Sequence, residues 1–366
     1  MTGEKEEKGR LLSLDVFRGL TIAGMILVNN PGSWDHVYPP LLHAEWDGWT
    51  PTDLIFPFFL FIVRVSMSFA FSSRKVESRD ALLKKILRRS VLLFGLGFFM
   101  AAFPRFDFAH VRIPGVLQRI AVCYLAASLL VLFTRRRTQV VVVAGILIGY
   151  WLVMRGDLSP EGSLSARLDR LVLGVHLWKP RWDPEGILST FPAIATTLIG
   201  YSFGERLRRR TDDGNETAAG LFASGWILIL AGLAWSVFFP INKNLWTSSY
   251  VLFTAGAALQ FLAFLFWVVD VKGWTGWTYP AVVFGRNAIA LFVLSGLVAK
   301  SMILYKVARP DGPDGSTESL YQLVYEKAFA AWAGPLNGSL AFALATILFW
   351  WLFLWILYRR RIFITV

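Results

Sequence analysis

The segment at residues 31–53 holds the side chains of this sequence that are best suited to proton-transfer chemistry. It reads PGSWDHVYPPLLHAEWDGWTPTD and contains two histidines, three tryptophans and four acidic residues. An imidazole can accept and return protons near neutral pH. His43 stands between an apolar pair and a cluster of tryptophans and acids, so it is either an ordinary loop histidine or a proton carrier. His36 is more readily explained as a loop residue.

Other polar side chains lie within long apolar runs, where an ionisable group is costly and is therefore a candidate for function. Asp15 and Arg18 share one face of the run SLDVFRGLTIAGMILVNN and form either an interfacial ion pair or part of a site. Asn29, at the end of that run, either caps a helix or takes part in a reaction. Arg64 lies about 16 Å into the next apolar run, so it needs either a structural partner or an anionic ligand.

Two further polar pairs lie near the ends of apolar runs. They are Gln118–Arg119 in IPGVLQRIAVCYL and Arg286–Asn287 in VFGRNAIALFVLS. We expect these residues to line a polar surface shared among helices. The sequence has one cysteine, Cys123, and no cysteine and histidine cluster with metal-ligand spacing. We therefore expect neither an intramolecular disulfide nor a bound metal.

Helices that cross a membrane must position these residues. Of the 366 residues, 55% are hydrophobic and 17% are charged, and the mean hydropathy of +0.51 is too high for a soluble domain of this length. We predict an all-α, polytopic transmembrane bundle of about ten spanning helices that forms a single domain over residues 1–366. The predicted spans lie near residues 12–30, 52–72, 86–103, 114–133, 138–154, 190–205, 221–239, 246–269, 280–304 and 338–357.

The net charge of +12 lies in short clusters between the apolar runs, which argues against a nucleic-acid partner and in favour of a topology signal. The basic clusters are at 74–89, 135–137, 206–210 and 359–361. Placing them all inside the cell satisfies the positive-inside rule with both termini, including the tail 1–11, in the cytoplasm. The connections 31–51, 104–113, 155–189, 240–245 and 305–337 then face outward, and 155–189 and 305–337 are the larger ones.

The stretch from Ser319 to Trp332 is apolar on one face only, which predicts a re-entrant or interfacial helix. The preceding residues 308–319 are rich in proline, glycine, aspartate and serine and predict an exposed loop. No internal repeat is visible, so this sign of a secondary transporter is missing. The first residues, MTGEKEEKGR, lack the pattern of a signal peptide, so we expect the first apolar run to remain as a helix.

Four blocks of the sequence, in this order, resemble the transmembrane acetyltransferase family typified by heparan-α-glucosaminide N-acetyltransferase, and in particular its bacterial members. The blocks are SLDVFRGLTIAGMILVNNPG, HAEWDGWTPTDLIFPFFLFIV, RIPGVLQRIAVCYL and GILSTFPAIATTLIGYSFGE. The resemblance implies transfer of an acetyl group from cytoplasmic acetyl-CoA to an amino sugar on the far side of the membrane, by a homodimer in a bacterial inner membrane. Acetyl-CoA is then a co-substrate, and no metal is implied.

The resemblance also implies roles for particular residues. The family's active-site histidine, in its His-Ala-x-Trp motif, falls on His43, and its asparagine at the end of the first conserved span falls on Asn29. His43 would deprotonate the sugar ammonium for direct transfer or first accept the acetyl group itself. Asn29 would orient this histidine or donate a hydrogen bond to the thioester oxygen. We expect acceptor contacts from Trp46, Asp47 and Asp53, and acetyl-CoA contacts from the following residues: Arg18, Arg64, Arg119, Arg286 and Asn287.

One position departs from the family pattern. Members of the family carry glycine where this chain has Arg64, in FIVGVS-like sequences, and glycine permits close helix packing whereas arginine does not. The alternatives to an amino-sugar acetyltransferase are a transporter for sugars or their derivatives, and an acyltransferase acting on cell-wall or lipid-linked glycans. In a transporter, the buried charges would line a substrate path.

Overall fold

The structure is a computed structural model that describes residues 11–73, 78–209, 213–308 and 316–364. The predicted tail 1–11 lies outside these ranges apart from Leu11, as do Arg74, Arg210 and most of the predicted loop 308–319. The helices are α1 Leu12–Asn29, α2 Pro51–Ser73, α3 Arg79–Ala102, α4 Val116–Phe133, α5 Arg136–Val153, α6 Leu164–Leu173, α7 Ile187–Arg208, α8 Gly214–Ser236, α9 Ser248–Leu265, α10 Tyr279–Arg286, α11 Ala288–Leu304, α12 Leu320–Tyr325 and α13 Ala331–Arg359. Strands β1 Lys306–Ala308 and β2 Thr317–Ser319 form an antiparallel pair.

The all-α membrane architecture predicted from the sequence is confirmed. Within the described ranges, eight helices are long and apolar enough to cross a membrane, or nine if α10 and α11, bent by 78° relative to each other, count as one span. The remaining one of the ten predicted spans, near residues 86–103, corresponds to α3. This helix is 24 residues long, but its first half is more highly charged than that of the other spans, because it contains Lys84, Lys85, Arg88 and Arg89.

The helices of the bundle differ in how much of their surface the protein covers. Most residues of α1, α2, α7 and α9 are buried, whereas α5 and α8 bury few. The core between the inner helices includes Phe17, Phe61, Trp246 and Tyr250, which are all almost completely buried. Lipid is as apolar as these side chains, so close packing and internal hydrogen bonds must hold the inner helices together.

Small residues allow several pairs of helices to approach closely. A methyl group added to Gly19 of α1 would lie 1.7 Å from the carbonyl oxygen of Ala281 in α10. One added to Gly200 of α7 would lie 2.6 Å from the carbonyl oxygen of Phe61 in α2. Glycine at these crossings brings backbone against backbone, which is the usual way in which membrane helices maximise their contact.

Helix α1 receives the cap of its first turn from another part of the chain. The carboxylate of Asp270 accepts hydrogen bonds from the backbone N–H groups of Leu12 at 3.0 Å and Ser13 at 3.2 Å. Asp270 lies in a single π-helical turn, Phe266–Val271, that continues α9. The first N–H groups of a helix have no partner within it, and a carboxylate also favours the positive end of the helix dipole.

The predicted re-entrant or interfacial segment forms a helix that folds back on the next one. It runs through α12, a π-helical turn at Glu326–Ala330 and the first residues of α13, and it breaks at Gly334, which has a φ of 76°. Pro335 follows the break, and its carbonyl oxygen accepts a hydrogen bond from the hydroxyl of Tyr325 at 2.9 Å. The helical stretch before Gly334 is too short to cross a bilayer of about 30 Å, and its location relative to the membrane stays a prediction.

The Gly19 contact generates a test of the packing. Gly19→Ala is expected to destabilise the protein by about 1–3 kcal/mol because the backbone of α10 must move. Gly24→Ala on the same helix is the matched control, since the nearest atom to its added methyl group is a side-chain carbon of Ile55 at 3.6 Å. Thermal unfolding in detergent can be followed with a thiol-reactive dye, because the single cysteine, Cys123, is buried. Equal melting temperatures for the two variants would contradict this packing.

Candidate active site

Asp53 lies in the first turn of α2, in a geometry that the local sequence specifies. Pro51 is the first residue of α2, a position where the missing N–H of proline has no cost. Asp53 Oδ2 accepts hydrogen bonds from the backbone N–H of Thr50 at 2.9 Å and from the Thr50 hydroxyl at 3.2 Å. Thr50 and Asp53 thus have the spacing of a capping box, with an acidic residue three positions after a threonine, and they form the half of it in which the acid accepts from the N–H that precedes the helix. The carboxylate is thereby fixed at the start of the helix.

The same carboxylate holds His43. Asp53 Oδ1 lies 2.7 Å from Nδ1 of His43, and Oδ2 also accepts a hydrogen bond from the N–H of Ala44 at 3.0 Å. A carboxylate only accepts, so Nδ1 carries the hydrogen, and in a neutral imidazole Nε2 is then the acceptor atom. The His43 side chain is 48% exposed, whereas that of Asp53 is 1% exposed. An accessible imidazole oriented by a buried carboxylate is well arranged to act as a general base.

Lys243, which lies 200 residues further along the chain, adjoins this pair. Its Nζ is 2.9 Å from Nδ1 and 3.0 Å from Nε2 of His43, and 3.6 Å from Oδ1 of Asp53. Burial lowers the pKa of Lys243 below its ordinary value, although the negative charges of Asp53 and Glu185 oppose this change. The ammonium group of Lys243 therefore loses its proton at a lower pH than that of a surface lysine.

Two contacts hold the loop that carries Lys243 against the loop that carries His43, and a third joins the helices that follow these loops. The side-chain amide of Asn242 donates to Asp47 Oδ1 at 3.1 Å, and the N–H of Gly48 donates to the carbonyl of Ile241 at 2.7 Å. The hydroxyl of Tyr250 in α9 donates to the backbone carbonyl of Asp53 at 2.5 Å. The start of α2 and the start of α9 are thus joined beside the three titratable groups.

A buried arginine, Arg119, lies where α4 meets the start of α7. Arg119 of α4 donates to the carbonyl of Gly186 at 3.3 Å and to the hydroxyl of Ser189, both at the start of α7. Its guanidinium carbon lies 5.1 Å from the ring centroid of Trp246. Nε and one terminal nitrogen of Arg119 have no hydrogen-bond partner among the described residues. Arg119 therefore joins α4 to α7, and two of its nitrogens remain available to donate hydrogen bonds.

The connection 155–189 contributes a second buried acid. Asp169 of α6 accepts a hydrogen bond at Oδ1 from the N–H of Ile187, the first residue of α7, at 2.8 Å. Its Oδ2 is buried and has no hydrogen-bond partner in the described parts of the chain. Burial raises the pKa of Asp169 to about 6. Asp169 caps α7 from outside that helix, as Asp270 caps α1.

The structure separates the residues that the sequence analysis assigned to the His43 site. Asp53 orients the histidine, and the acceptor contacts that we expected of Asp53, Asp47 and Trp46 stay predictions. Asp47 bonds to Asn242, and the indole N–H of Trp46 donates to the carbonyl of Leu158 at 2.9 Å. Asn29 is exposed at the end of α1 and forms no hydrogen bond with His43. Its proposed role toward the thioester stays a prediction.

The predicted cofactor residues fall into more than one region. Arg18 donates to the hydroxyl of Ser66 at 2.7 Å and to the carbonyl of Gly285 at 3.5 Å, which places it near the junction of α10 and α11. Asn287 at that junction bonds to the backbone of Ile362 and Ile364. Arg18 and the Arg286–Asn287 pair therefore share one region, at the end of the bundle opposite His43. Their contact with acetyl-CoA stays a prediction.

Arg64 is almost completely buried, at 1% exposure. Its guanidinium donates to the Ser128 hydroxyl at 3.0 Å and to the carbonyls of Cys123, at 3.1 Å, and Tyr124, and it lies 4.7 Å from the Tyr124 ring centroid. No carboxylate lies within ion-pair distance of it in the described ranges. These contacts favour structural pairing over the alternative of ligand contact.

Sequence reasoning did not identify Lys243, although a signal for it existed. It is a basic residue in the connection 240–245, which the positive-inside rule assigns to the outer face, where lysine and arginine are less common. The place of Asp53 at a helix start also had a signal in the sequence Thr-Pro-Thr-Asp, which has the spacing of a capping box. Neither signal revealed that the two side chains meet at His43.

Comparison with known proteins identifies one family. The family model described as "Heparan-alpha-glucosaminide N-acetyltransferase, catalytic" matches residues 10–239, which include His43 and Asp53 but not Lys243. The human heparan-alpha-glucosaminide N-acetyltransferase is 31% identical over 78% of this chain and 52% of its own length. The mouse protein of the same name is 30% identical over 79% of this chain and 54% of its length. The chain thus spans about half the length of the curated relatives it matches.

The buried carboxyl of Asp169 generates a test of the scaffold around the site. Its folded-state pKa of about 6 lies above the ordinary value of 3.8, so the fold favours the protonated form. Stability should therefore be lost as the pH rises through the window from about 4 to 6. Asp169→Asn keeps an acceptor for the N–H of Ile187 and removes the charge, so the variant should melt above wild type at pH 8.

Thermal unfolding from pH 4.5 to pH 8 checks this expectation. The difference in melting temperature between the variant and wild type should shrink as the pH falls below 5. Asp157→Asn is the control on the same connection, because Asp157 is exposed. A constant difference across the pH range would show that Asp169 is not the titrating group.

Proposed function

The chain belongs to the heparan-α-glucosaminide N-acetyltransferase family, and on that premise we propose that it is a membrane-bound acetyltransferase. In this proposal it moves an acetyl group from acetyl-CoA to the amino group of a glucosamine-type sugar. His43 is the general base, Asp53 is the positioning residue that orients it, and Lys243 places a positive charge beside the reacting atoms.

One arrangement supports the proposal more than any other. It is the 2.7 Å contact between the buried carboxylate of Asp53 and Nδ1 of His43, a histidine whose side chain is 48% exposed. A thioester is already activated, so acetyl transfer needs a deprotonated amine and stabilisation of the oxyanion that forms. An oriented neutral imidazole meets the first need, and the ammonium of Lys243 meets the second.

The proposed reaction proceeds directly from donor to acceptor. Nε2 of His43 takes a proton from the sugar ammonium, and the freed amine lone pair attacks the carbonyl carbon of the thioester. Collapse of the tetrahedral intermediate breaks the C–S bond, and the proton held at Nε2 passes to the departing sulfur. The nitrogen releases its second proton to water, which leaves the neutral amide. The products are the N-acetylated sugar and CoA.

The distribution of basic residues supports a direction of transfer. The arginine clusters at 135–137, 206–209 and 359–361 lie at the end of the bundle opposite His43, the end to which Arg18 and Asn287 also belong. The positive-inside rule places that end in the cytoplasm, which is where acetyl-CoA is made available. We therefore propose a bacterial inner-membrane enzyme with both termini inside, working as a homodimer, whose acceptor reaches His43 from the outer side.

Replacing the two members of the His43–Asp53 pair tests the mechanism. We expect His43→Ala and Asp53→Asn each to lower kcat for acetyl transfer from acetyl-CoA to glucosamine by about 10²–10⁴-fold, because the base is lost or misoriented. The KM for acetyl-CoA should change little. The measurement is formation of radiolabelled N-acetylglucosamine by purified protein in detergent.

The chain provides its own matched control. His110 and Asp107 form a second histidine–aspartate pair at 2.9 Å on the connection 104–113, and both side chains are largely exposed. His110→Ala should retain full activity. Wild-type melting temperatures for the His43 and Asp53 variants exclude unfolding as the cause of their loss. Undiminished transfer by folded His43→Ala protein would refute the assigned role.

The lowered pKa of Lys243 predicts a pH dependence of kcat/KM for acetyl transfer. Its ammonium is lost at a lower pH than that of an ordinary lysine, so the positive charge beside His43 disappears as the solution becomes alkaline. Lys243→Arg keeps the charge at every accessible pH. Its kcat/KM should fall less steeply than that of wild type between pH 8 and pH 10, and Lys243→Met should be impaired throughout. Superimposable profiles for wild type and Lys243→Arg would remove Lys243 from the mechanism.

A further inference from the structure

A small cavity lies between the end of α7 and the beginning of α8, at the end of the bundle opposite His43. The volume of this α7–α8 cavity is about 140 Å³. Leu207 and Leu221, which are almost completely buried, form its apolar part. Arg206, Arg209 and Glu216, which are exposed, form its charged part. The cavity therefore combines both signs of charge with an apolar surface.

Arg206 is held across the α7–α8 cavity by contacts with α8. Its Nη1 donates to the hydroxyl of Ser224 at 3.2 Å. Its Nη2 lies over Gly220, since a methyl group added to that glycine would be 3.3 Å away from it. A guanidinium has five N–H donors in a fixed fork. Arg206 can therefore bind a phosphate oxygen while it keeps its hydrogen bond to Ser224.

Arg209 and Glu216 bring opposite charges to the same cavity. Nη2 of Arg209 lies 3.5 Å from Oε1 of Glu205, one turn earlier on α7, and Glu216 belongs to the first turn of α8. A phosphate is attracted by the two arginines and repelled by the carboxylate, so a purely anionic ligand fits this lining poorly. A ligand that carries both a phosphate and an ammonium group matches both signs.

An apolar surface continues from the α7–α8 cavity along α8. Gly220, Ile227 and Leu230 share one face of this helix, because they are seven and three residues apart. Ile227 is 66% exposed and Leu230 is 60% exposed. The other face of α8 packs on α9, where Gly225 and Gly232 bring the two backbones together. In a bilayer, the exposed face of α8 lies against acyl chains.

We propose that the α7–α8 cavity binds the headgroup of a phospholipid with a primary amine. Arg206 and Arg209 contact its phosphate, Glu216 contacts its ammonium, and its acyl chains lie along the exposed face of α8. Basic pockets between membrane helices on the cytoplasmic side bind lipid headgroups, and the positive-inside rule places this end of the bundle there. The bound lipid bridges α7 and α8 and stabilises the protein. The lipid is not a reactant, so this inference is independent of the proposed function.

Native mass spectrometry of delipidated protein in detergent measures the affinity for each lipid. Wild type is expected to bind phosphatidylethanolamine about three- to tenfold more tightly than phosphatidylcholine or phosphatidylglycerol, because only the first offers a primary ammonium to Glu216. Arg206→Ala should weaken the binding of phosphatidylethanolamine about tenfold. Glu216→Gln should abolish the preference over phosphatidylglycerol. Arg137→Ala is the matched control, since Arg137 is an exposed arginine of α5 at the same end of the bundle.

A second variant tests the cavity without changing any charge. Gly220→Leu fills the α7–α8 cavity, and the atom nearest to its Cβ is the mobile end of the Arg206 side chain. Phosphatidylethanolamine should raise the melting temperature of wild type and leave that of Gly220→Leu unchanged. Without lipid, the variant should melt no lower than wild type, because leucine is a better helix former than glycine.

Several results would overturn the proposal. They are equal affinities of wild type for the three phospholipids, equal effects of Arg206→Ala and Arg137→Ala, and full stabilisation of Gly220→Leu by phosphatidylethanolamine. Competition identifies the source of the headgroup. Free O-phosphoethanolamine that binds as tightly as the lipid would assign the cavity to a soluble ligand, and displacement of the lipid by CoA would assign it to the acetyl donor. Either result would overturn the lipid site.

Discussion

The carboxylate of Asp53 performs two tasks at once, and the site depends on both. It accepts hydrogen bonds from Thr50, which close the first turn of α2, and it accepts the Nδ1 hydrogen of His43. The position of the imidazole is therefore tied to the position of a transmembrane helix. Because the carboxylate is buried, removing its partners would leave a polar group without compensation in an apolar setting. Folding of the helix start and orientation of the histidine support each other.

The same physical need recurs at two other helix starts. Asp270 caps α1 and Asp169 caps α7, and each carboxylate comes from a different element. A helix start that is buried in protein or lies in the hydrocarbon of a bilayer has no water to satisfy its first N–H groups. A capping acid supplied from elsewhere in the chain solves this problem and also fixes where two elements meet. At the His43 end, the cap of α7 and the buried Arg119 together hold α4, α6 and α7 in register.

Arg64 shows how a permanent charge is accommodated in the core of the bundle. Its hydrogens are taken up by backbone carbonyls and a hydroxyl of α4, and its cation lies against the ring of Tyr124. Lipid-facing arginine would be far more costly, since only the protein interior provides acceptors at this depth. The charge thereby joins α2 to α4, where a glycine would join them by close contact instead.

The sequence by itself determined the class of the protein, because the length and hydropathy of a run are local properties that decide whether it can cross a bilayer. It also determined the starting geometry of α2, since Thr50, Pro51 and Asp53 carry the cap within four residues. His43 stood out through its motif and its acidic neighbours. Those four acids looked alike in the sequence, and nothing local distinguished Asp53 from Asp35, Glu45 or Asp47 as its partner.

Only the tertiary structure decided which groups meet. Lys243 reaches His43 across 200 residues, and Tyr250 reaches Asp53. The bend between α10 and α11 likewise interrupts an apolar run that looks continuous in hydropathy. These outcomes depend on how α1, α2, α7 and α9 pack, and packing is set by the shapes of surfaces that are far apart in sequence. A local pattern can therefore name candidate residues, but the packed bundle selects the pairs.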